Sequence, residues 1–442
     1  MDPVEKSTGK SDAEDEERPI HAVPILDRSP AFFLRNWLGL IGIILLFFIG
    51  HIPQLLLYPL FYTPLKEVFT AYNVITKEGF ARTLLWVSGA TTLVITCDDS
   101  LNMEKLVTKD FWGNPVLNLS KRAVYIANHQ MYADWIYLWT LFVCTAEALG
   151  AGVIILLKAS LRNVPIAGTA MRCWDFIFIS SVWGQDKQQA GTTLLNIAND
   201  VVDNDKSLAL ILFPEGTLVS KLTRPKSLKY AEKQGIKDCV NTILPKATGL
   251  LFTLRSLLPT IKDLELYDVT IGYPGIPHAG YAQTYYTLTS IYLKRQGPPT
   301  VHMHIRNLAI GTIPSLQTSP LIKSFSPSDP NAKIISETGN PVLHPVEIDK
   351  ALTTSERKEF EEYLIERWRE KDAMLVDFYT TGEFPAQEGQ RVTIKLGMRS
   401  PRDWIFILLM IIPTFALWQL FRFTLVQTGL INPTCYLILG YI

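Results

Sequence analysis

One histidine and one aspartate stand five places apart in YIANHQMYADW (residues 125–135), directly after a short apolar run. An imidazole can take up a proton near neutral pH, and a carboxylate can hold its ring in one tautomer. On a continuous helix a separation of five turns two side chains apart by roughly 140°. For the pair to meet, His129 must sit on a turn and Asp134 at the start of the next element. These residues alone leave a second reading open, a loop histidine beside a helix-capping aspartate. A second polar cluster closes another buried run in LALILFPEGTLVS (208–220). In Phe213-Pro214-Glu215-Gly216-Thr217 the proline fixes the exit and the glycine lets the backbone approach a ligand. Glu215 and Thr217 offer hydrogen bonds. Pro-Glu-Gly alone is a common turn. Two strands that each end in a polar turn are how an α/β sheet places a site at its carboxyl ends.

Other chemistries lack their residues. There is no GxSxG elbow, no GxxxxGK[ST] loop and no GxGxxG after a strand. The cysteines (Cys97, Cys144, Cys173, Cys239, Cys435) are scattered without a CxxC, which fits a reducing compartment better than a disulfide framework or zinc site. His302 and His304 alternate in VHMHIR and share a face, but no further ligands lie nearby, so no metal is expected. The 42 basic and 42 acidic residues balance, which gives nucleic acid no electrostatic footprint. Eight of the acidic and four of the basic residues fall in residues 1–30, leaving 38 basic against 34 acidic after them.

The elements that must carry these residues alternate in period. AVYIAN (123–128), VIILLK (153–158), FIFIS (176–180), LALILF (208–213), VTIGYP (269–274) and VHMHI (301–305) are short β-rich runs bounded by turn residues. Helical spacing joins Leu194, Ile197, Ala198, Val201 and Val202, and again Phe360, Leu364, Trp368, Leu375 and Phe378. Thr353 with Glu356 forms a capping box before the second helix, and Gly382 stops it. Around this core the chain is apolar. No formal charge stands between Arg35 and Lys66, although Pro53 and Pro59 break the run, and from Trp404 onward only Arg422 is charged. The 83–97 stretch is too short to span a bilayer comfortably and is expected at the interface or in the core.

The expected fold is therefore α/β, a mixed sheet flanked by helices, with N-terminal and C-terminal membrane segments. Its divisions are a disordered acidic tail (1–30), a membrane or interfacial segment (31–98) and a catalytic domain (99–315). A helical extension (316–400) and a C-terminal membrane segment (401–442) complete it, with one span at about 404–421.

The combination Asn128-His129-x4-Asp134 and Phe213-Pro214-Glu215-Gly216-Thr217 resembles the glycerolipid acyltransferase family that includes the 1-acylglycerol-3-phosphate acyltransferases. FPEGT, TRPKSLKYAEKQG, LPKATG and FEEYLIERWREKDAMLVDFY are similar to its lysocardiolipin acyltransferase-like branch. The resemblance implies an acyl-CoA:lysophospholipid acyltransferase with His129 as general base and Asp134 as its partner. It implies that Glu215, Gly216 and Thr217 bind the acyl acceptor, with Asn128, Phe213 and Pro214 in the same substrate-binding set. Tyr273-Pro274 matches the family's last block, assigned to acyl-donor or structural contacts. Where many relatives carry an arginine, this chain has Ser180-Ser181. Arg224 and Lys246 are then the cations expected to hold the acceptor phosphate, with Lys226 and Arg172 behind them. The expected partners are acyl-CoA as co-substrate, a lysophospholipid and the lipid bilayer, with no cofactor. The expected location is the endoplasmic reticulum membrane with the catalytic domain in the cytosol. A CoA-independent transacylase and a non-catalytic membrane scaffold of the same fold are the alternatives.

Overall fold

The computed structural model describes residues 41, 45, 47–88, 91–146, 149–179, 183–293, 296–316, 345–350 and 352–428. The acidic tail, Ser180-Ser181 and the apolar stretch after residue 428 lie outside the described residues. The strands are β1 (Thr92–Cys97), β2 (Val107–Lys109), β3 (Pro115–Leu117), β4 (Arg122–Ala127) and β5 (Val153–Lys158). They continue with β6 (Ile177–Ile179), β7 (Leu208–Leu212), β8 (Glu265–Gly272), β9 (Thr300–Asn307) and β10 (Arg391–Lys395). Eight of them make one sheet in the order β10-β1-β9-β8-β4-β7-β5-β6, while β2 and β3 pair as a separate hairpin. From β8 through β6 the strands run parallel; β9 opposes β8, β1 follows β9 and β10 opposes β1.

The longer helices are α1 (Phe47–Tyr62, closing in a 3-10 turn), α2 (Lys66–Ser88), α3 (Asp134–Val143) and α4 (Trp183–Asp203). They are followed by α5 (Arg224–Gln234), α6 (Ala247–Leu257), α7 (Thr354–Thr381) and α8 (Pro401–Gln427). Helices cover both faces of the parallel strands, which is why those strands read as continuous apolar runs. On one face Val124, Ile126, Leu210 and Leu212 pack with Leu194, Ala198 and Val201 of α4 and Leu250 and Leu254 of α6. On the other, Tyr125, Ala127, Ile211 and Val269 pack with Ile136, Trp139 and Phe142 of α3 and Ala81 and Leu85 of α2. Val202, expected on the buried stripe of α4, stands in its last turn and is exposed. The α7 stripe is buried as expected, with the Thr353–Glu356 capping box formed and Gly382 ending the helix at φ 83°.

Two strands of the main sheet, and both strands of the β2–β3 hairpin, were not legible as such. The 83–97 stretch divides between the end of α2 and β1, and β10 comes from the expected helical extension. Both join the sheet, so it draws strands from either side of residues 99–315. His302 packs against the Phe378 ring, and the His304 Nδ1 meets the Thr96 hydroxyl at 3.0 Å. Among the described residues no cluster of three or more histidines, cysteines or acids is placed to hold a metal ion. The apolar helix α8 is, among the described residues, the one long and apolar enough to cross a membrane; α1 is shorter than a span. It is fastened to α2 by the Arg82 Nε, which donates to Asp403 at 3.0 Å, and by the Tyr72 hydroxyl, which donates to the Met410 carbonyl at 2.9 Å.

Candidate active site

The register of β4 against its two parallel neighbours pairs Tyr125 with Ile211 of β7 and with Tyr267 of β8. β4 and β7 run out together while β8 continues past Val269, opposite Ala127, to Gly272, and the exits bring Asn128-His129, Phe213-Pro214-Glu215 and Tyr273 side by side. Asn128 is fully buried and spans the gap to β8: its amide nitrogen donates to the Ile271 carbonyl at 2.9 Å, and its oxygen accepts the Ile271 N–H at 2.8 Å. With both ends of its amide on backbone, Asn128 aims the β4 exit.

His129 lies on the turn and Asp134 opens α3 as its first residue. Their side chains meet, with Nδ1 of His129 2.8 Å from Oδ2 of Asp134. The same oxygen accepts the N–H groups of Gln130 at 2.7 Å and Met131 at 3.0 Å. The Tyr273 hydroxyl donates to the other oxygen. Burial, reinforced by the Asp134 charge, holds the Tyr273 phenol well above its usual pKa, so it stays a donor. Asp134 is thus a buried carboxylate with four donors around it, at a helix N-terminus where negative charge is favoured. Donation by Nδ1 leaves Nε2 as the basic nitrogen, and among the described residues no partner meets it. The Phe213 ring stacks on the imidazole at 4.2 Å between centroids and 21° between planes. The side chain of His129 remains 19% exposed, in contrast to the fully buried Asp134.

Within the second motif only part faces outward. Glu215 is buried, and its oxygens accept the His129 N–H at 3.1 Å, the Trp368 indole N–H at 3.3 Å and the Ile243 N–H at 3.3 Å. Burial pushes this carboxyl up to about 8, although those three donors and Lys371 all pull the other way. Glu215 therefore holds the His129 backbone in place. Gly216, at φ 68°, and Thr217 are the exposed members of the turn. Pro214 is buried and its carbonyl accepts the Lys246 N–H at 2.8 Å.

The two expected phosphate cations have different surroundings. Arg224 opens α5 and points into the 239–242 loop, donating to the carbonyls of Cys239 at 2.7 Å, Thr242 at 2.8 Å and Val240 at 2.6 Å. Its guanidinium is occupied in shaping that loop. Lys246, exposed just before α6, lies over the turn, with Nζ 3.5 Å from where a side chain on Gly216 would begin. Lys226 and Arg172 are exposed, on α5 and at the end of the short helix Ala167–Cys173.

Tyr273, which the resemblance puts among acyl-donor or structural contacts, braces Asp134. Two contributions were not foreseen: Gln130 donates its side-chain amide to the Asn241 carbonyl at 2.8 Å, and Trp368 reaches Glu215 from α7. The available signal was on α7 itself, where the charged pair Lys371-Asp372 follows Trp368 by three and four residues and so shares its core-facing stripe.

An acyltransferase family model matches residues 102–273. The chain is 34% identical over 296 residues to a 2-acyl-1-lysophosphatidylinositol acyltransferase of Saccharomyces cerevisiae, covering 60% of this chain and 64% of that protein. It is 31% identical over 196 residues to lysocardiolipin acyltransferase 1 of Gallus gallus, covering 44% of this chain and 48% of that protein. A probable 1-acyl-sn-glycerol-3-phosphate acyltransferase of Arabidopsis thaliana is 26% identical over 278 residues, or 63% of this chain and 59% of that protein. The chain thus spans less than two thirds of each of these relatives. Histidine, aspartate and the Pro-Glu-Gly-Thr turn all lie inside the matched residues, and over that stretch the chain is similar to the acyltransferase family.

Proposed function

We propose that this protein transfers a fatty acyl group from acyl-CoA to the free hydroxyl of a lysophospholipid, with His129 as general base. The observation that carries the reading is the His129–Asp134 contact of 2.8 Å, braced by Tyr273, which leaves Nε2 without a partner among the described residues. The acyl-CoA thioester is already activated, so the barrier lies in making the hydroxyl nucleophilic. His129 Nε2 takes the hydroxyl proton as the oxygen attacks the thioester carbon, and Asp134 stabilises the imidazolium. Collapse of the tetrahedral intermediate expels the CoA thiolate, which takes the proton and leaves as the thiol. Lys246, over Gly216 beside the exposed Thr217, is the cation for the acceptor phosphate. The lysophospholipid class rests on the relatives' names, and no single lysolipid is selected. The apolar α8 is the membrane anchor, in the endoplasmic reticulum. The catalytic domain faces the cytosol, on the side of Arg399 and Arg402, where positive charge gathers before the span.

Purified full-length protein, given acyl-CoA and a panel of lysophospholipids, should release CoA in step with phospholipid formed. His129→Ala should lower that rate by about 10²–10⁴-fold with insertion and folding intact. Retention of more than about a tenth of the activity would remove His129 from the mechanism. Acyl transfer between phospholipids without CoA release would mark a transacylase instead.

A further inference from the structure

The loop that joins α5 to α6 runs through the site without regular structure, and its central residues Asn241, Thr242, Ile243 and Leu244 are buried. Buried backbone must find partners, and here side chains supply them. The carbonyls of Cys239, Val240 and Thr242 accept from Arg224, and that of Asn241 accepts from Gln130. The amides are held from the opposite side by one carboxylate. Asp372 accepts the N–H groups of Val240 at 2.8 Å, Asn241 at 2.7 Å and Thr242 at 3.0 Å. The next amide, Ile243, donates to Glu215. The loop is thus gripped between an arginine that takes its carbonyls and an aspartate that takes its amides. It ends at Lys246, over the Pro-Glu-Gly-Thr turn.

Asp372 sits on α7, a helix outside the residues matched by the family model. The same helical face sends Trp368 to Glu215 and Lys371 to the middle of β8, where its Nζ donates to the Val269 carbonyl at 2.7 Å. A carboxylate that collects three backbone N–H groups and is only 9% exposed orients a loop more strongly than neutral side chains can. We propose that Asp372 is a positioning residue for the acyl acceptor, fixing from α7 the loop that delivers Lys246 to the lysophospholipid phosphate. The proposal rests on the acyltransferase reading. Its content is that acceptor recognition depends on Asp372, a residue beyond the catalytic motifs whose bonds go to the 240–242 backbone and to neither His129 nor Asp134.

Asp372→Asn keeps the shape and one acceptor oxygen but removes the charge, and Asp372→Glu restores the charge on a longer stem. In full-length protein, Asp372→Asn should raise the apparent KM for the lysophospholipid about tenfold, with that for acyl-CoA changed less than about twofold. The pH profile should keep its wild-type form, and Asp372→Glu should recover part of the loss. Hydrogen exchange at residues 240–243 should rise in Asp372→Asn. If that variant is too unstable to assay, Asp372→Glu alone, which keeps the charge but shifts its grip on the 240–242 amides, should leave acyl-CoA KM unchanged while raising that for the acceptor by a smaller factor. An active wild type whose folded variants show unchanged acceptor KM, or an equal change for both substrates, overturns the positioning role. A wild type inactive on every lysophospholipid overturns the acyltransferase reading instead.

Discussion

Glu215 shows how a motif residue can hold the backbone of the proposed base from inside the fold. Its carboxyl ties His129, Trp368 and Ile243 together from a buried position, and burial raises it from an ordinary 4.5 to about 8. A group whose folded pKa lies above its unfolded one binds more protons when folded. Its stabilising contribution is therefore full below about pH 4.5 and is lost as the pH rises toward 8. Glu215→Gln cannot titrate. Thermal unfolding in detergent, followed from pH 5 to pH 8, should show wild-type stability falling relative to the variant across that window. Parallel curves for the two proteins would mean that Glu215 is not protonated in the folded state. Tyr273 makes the complementary point, since its place beside Asp134 depends on β8 running on past the end of β4 to Gly272 and leaves no mark in spacing.

Among the elements, the contact between β8 and α7 is close enough to test directly. A Cβ on Gly272, the last residue of β8, would stand 2.8 Å from the nearest carbon of the buried Phe378 ring. Gly272→Ala should therefore cost about 1–3 kcal/mol through overpacking. Denaturant or thermal unfolding should show a lowered midpoint, part of which Phe378→Leu in the same background recovers. An unchanged midpoint would mean that α7 gives way freely. Six strands and the buried stripes of α4 and α7 were legible because their residues are apolar in the right period and bounded by turn residues. The exceptions have physical reasons. An unbroken apolar run such as that entering β1 has no period to distinguish strand from helix, and β10 is a short edge strand with charged residues at both ends. At the site, His129, Asp134 and the Pro-Glu-Gly-Thr turn could be read because chemistry restricts their residue types. The contacts of Arg224 and Asp372 could not, because both depend on where a loop without regular pattern folds back.

For the whole molecule, the joint between the catalytic unit and its apolar helix is ionic and buried. Arg82 on α2 binds Glu78 on its own helix and Asp403 in the first turn of α8. Removing the cation alone strands two acids among apolar side chains, so Arg82→Met should destabilise the protein by about 3–5 kcal/mol. Adding Glu78→Gln and Asp403→Asn should recover much of that loss, as read by thermal unfolding in detergent. No recovery would show that the arginine acts through its stem packing rather than its charge. The position of β10 carries a consequence for anyone seeking a detergent-free fragment. This strand pairs with β1 and ends at Lys395, only a few residues before α8 begins at Pro401. Truncation at the edge of the matched residues, or anywhere ahead of Arg391, would leave β1 with a bare hydrogen-bonding edge and invite chains to join edge to edge. The workable cut is confined to the short link between Lys395 and Pro401. Even there, the surface of α2 that α8 had covered must be made polar before the fragment stays in solution.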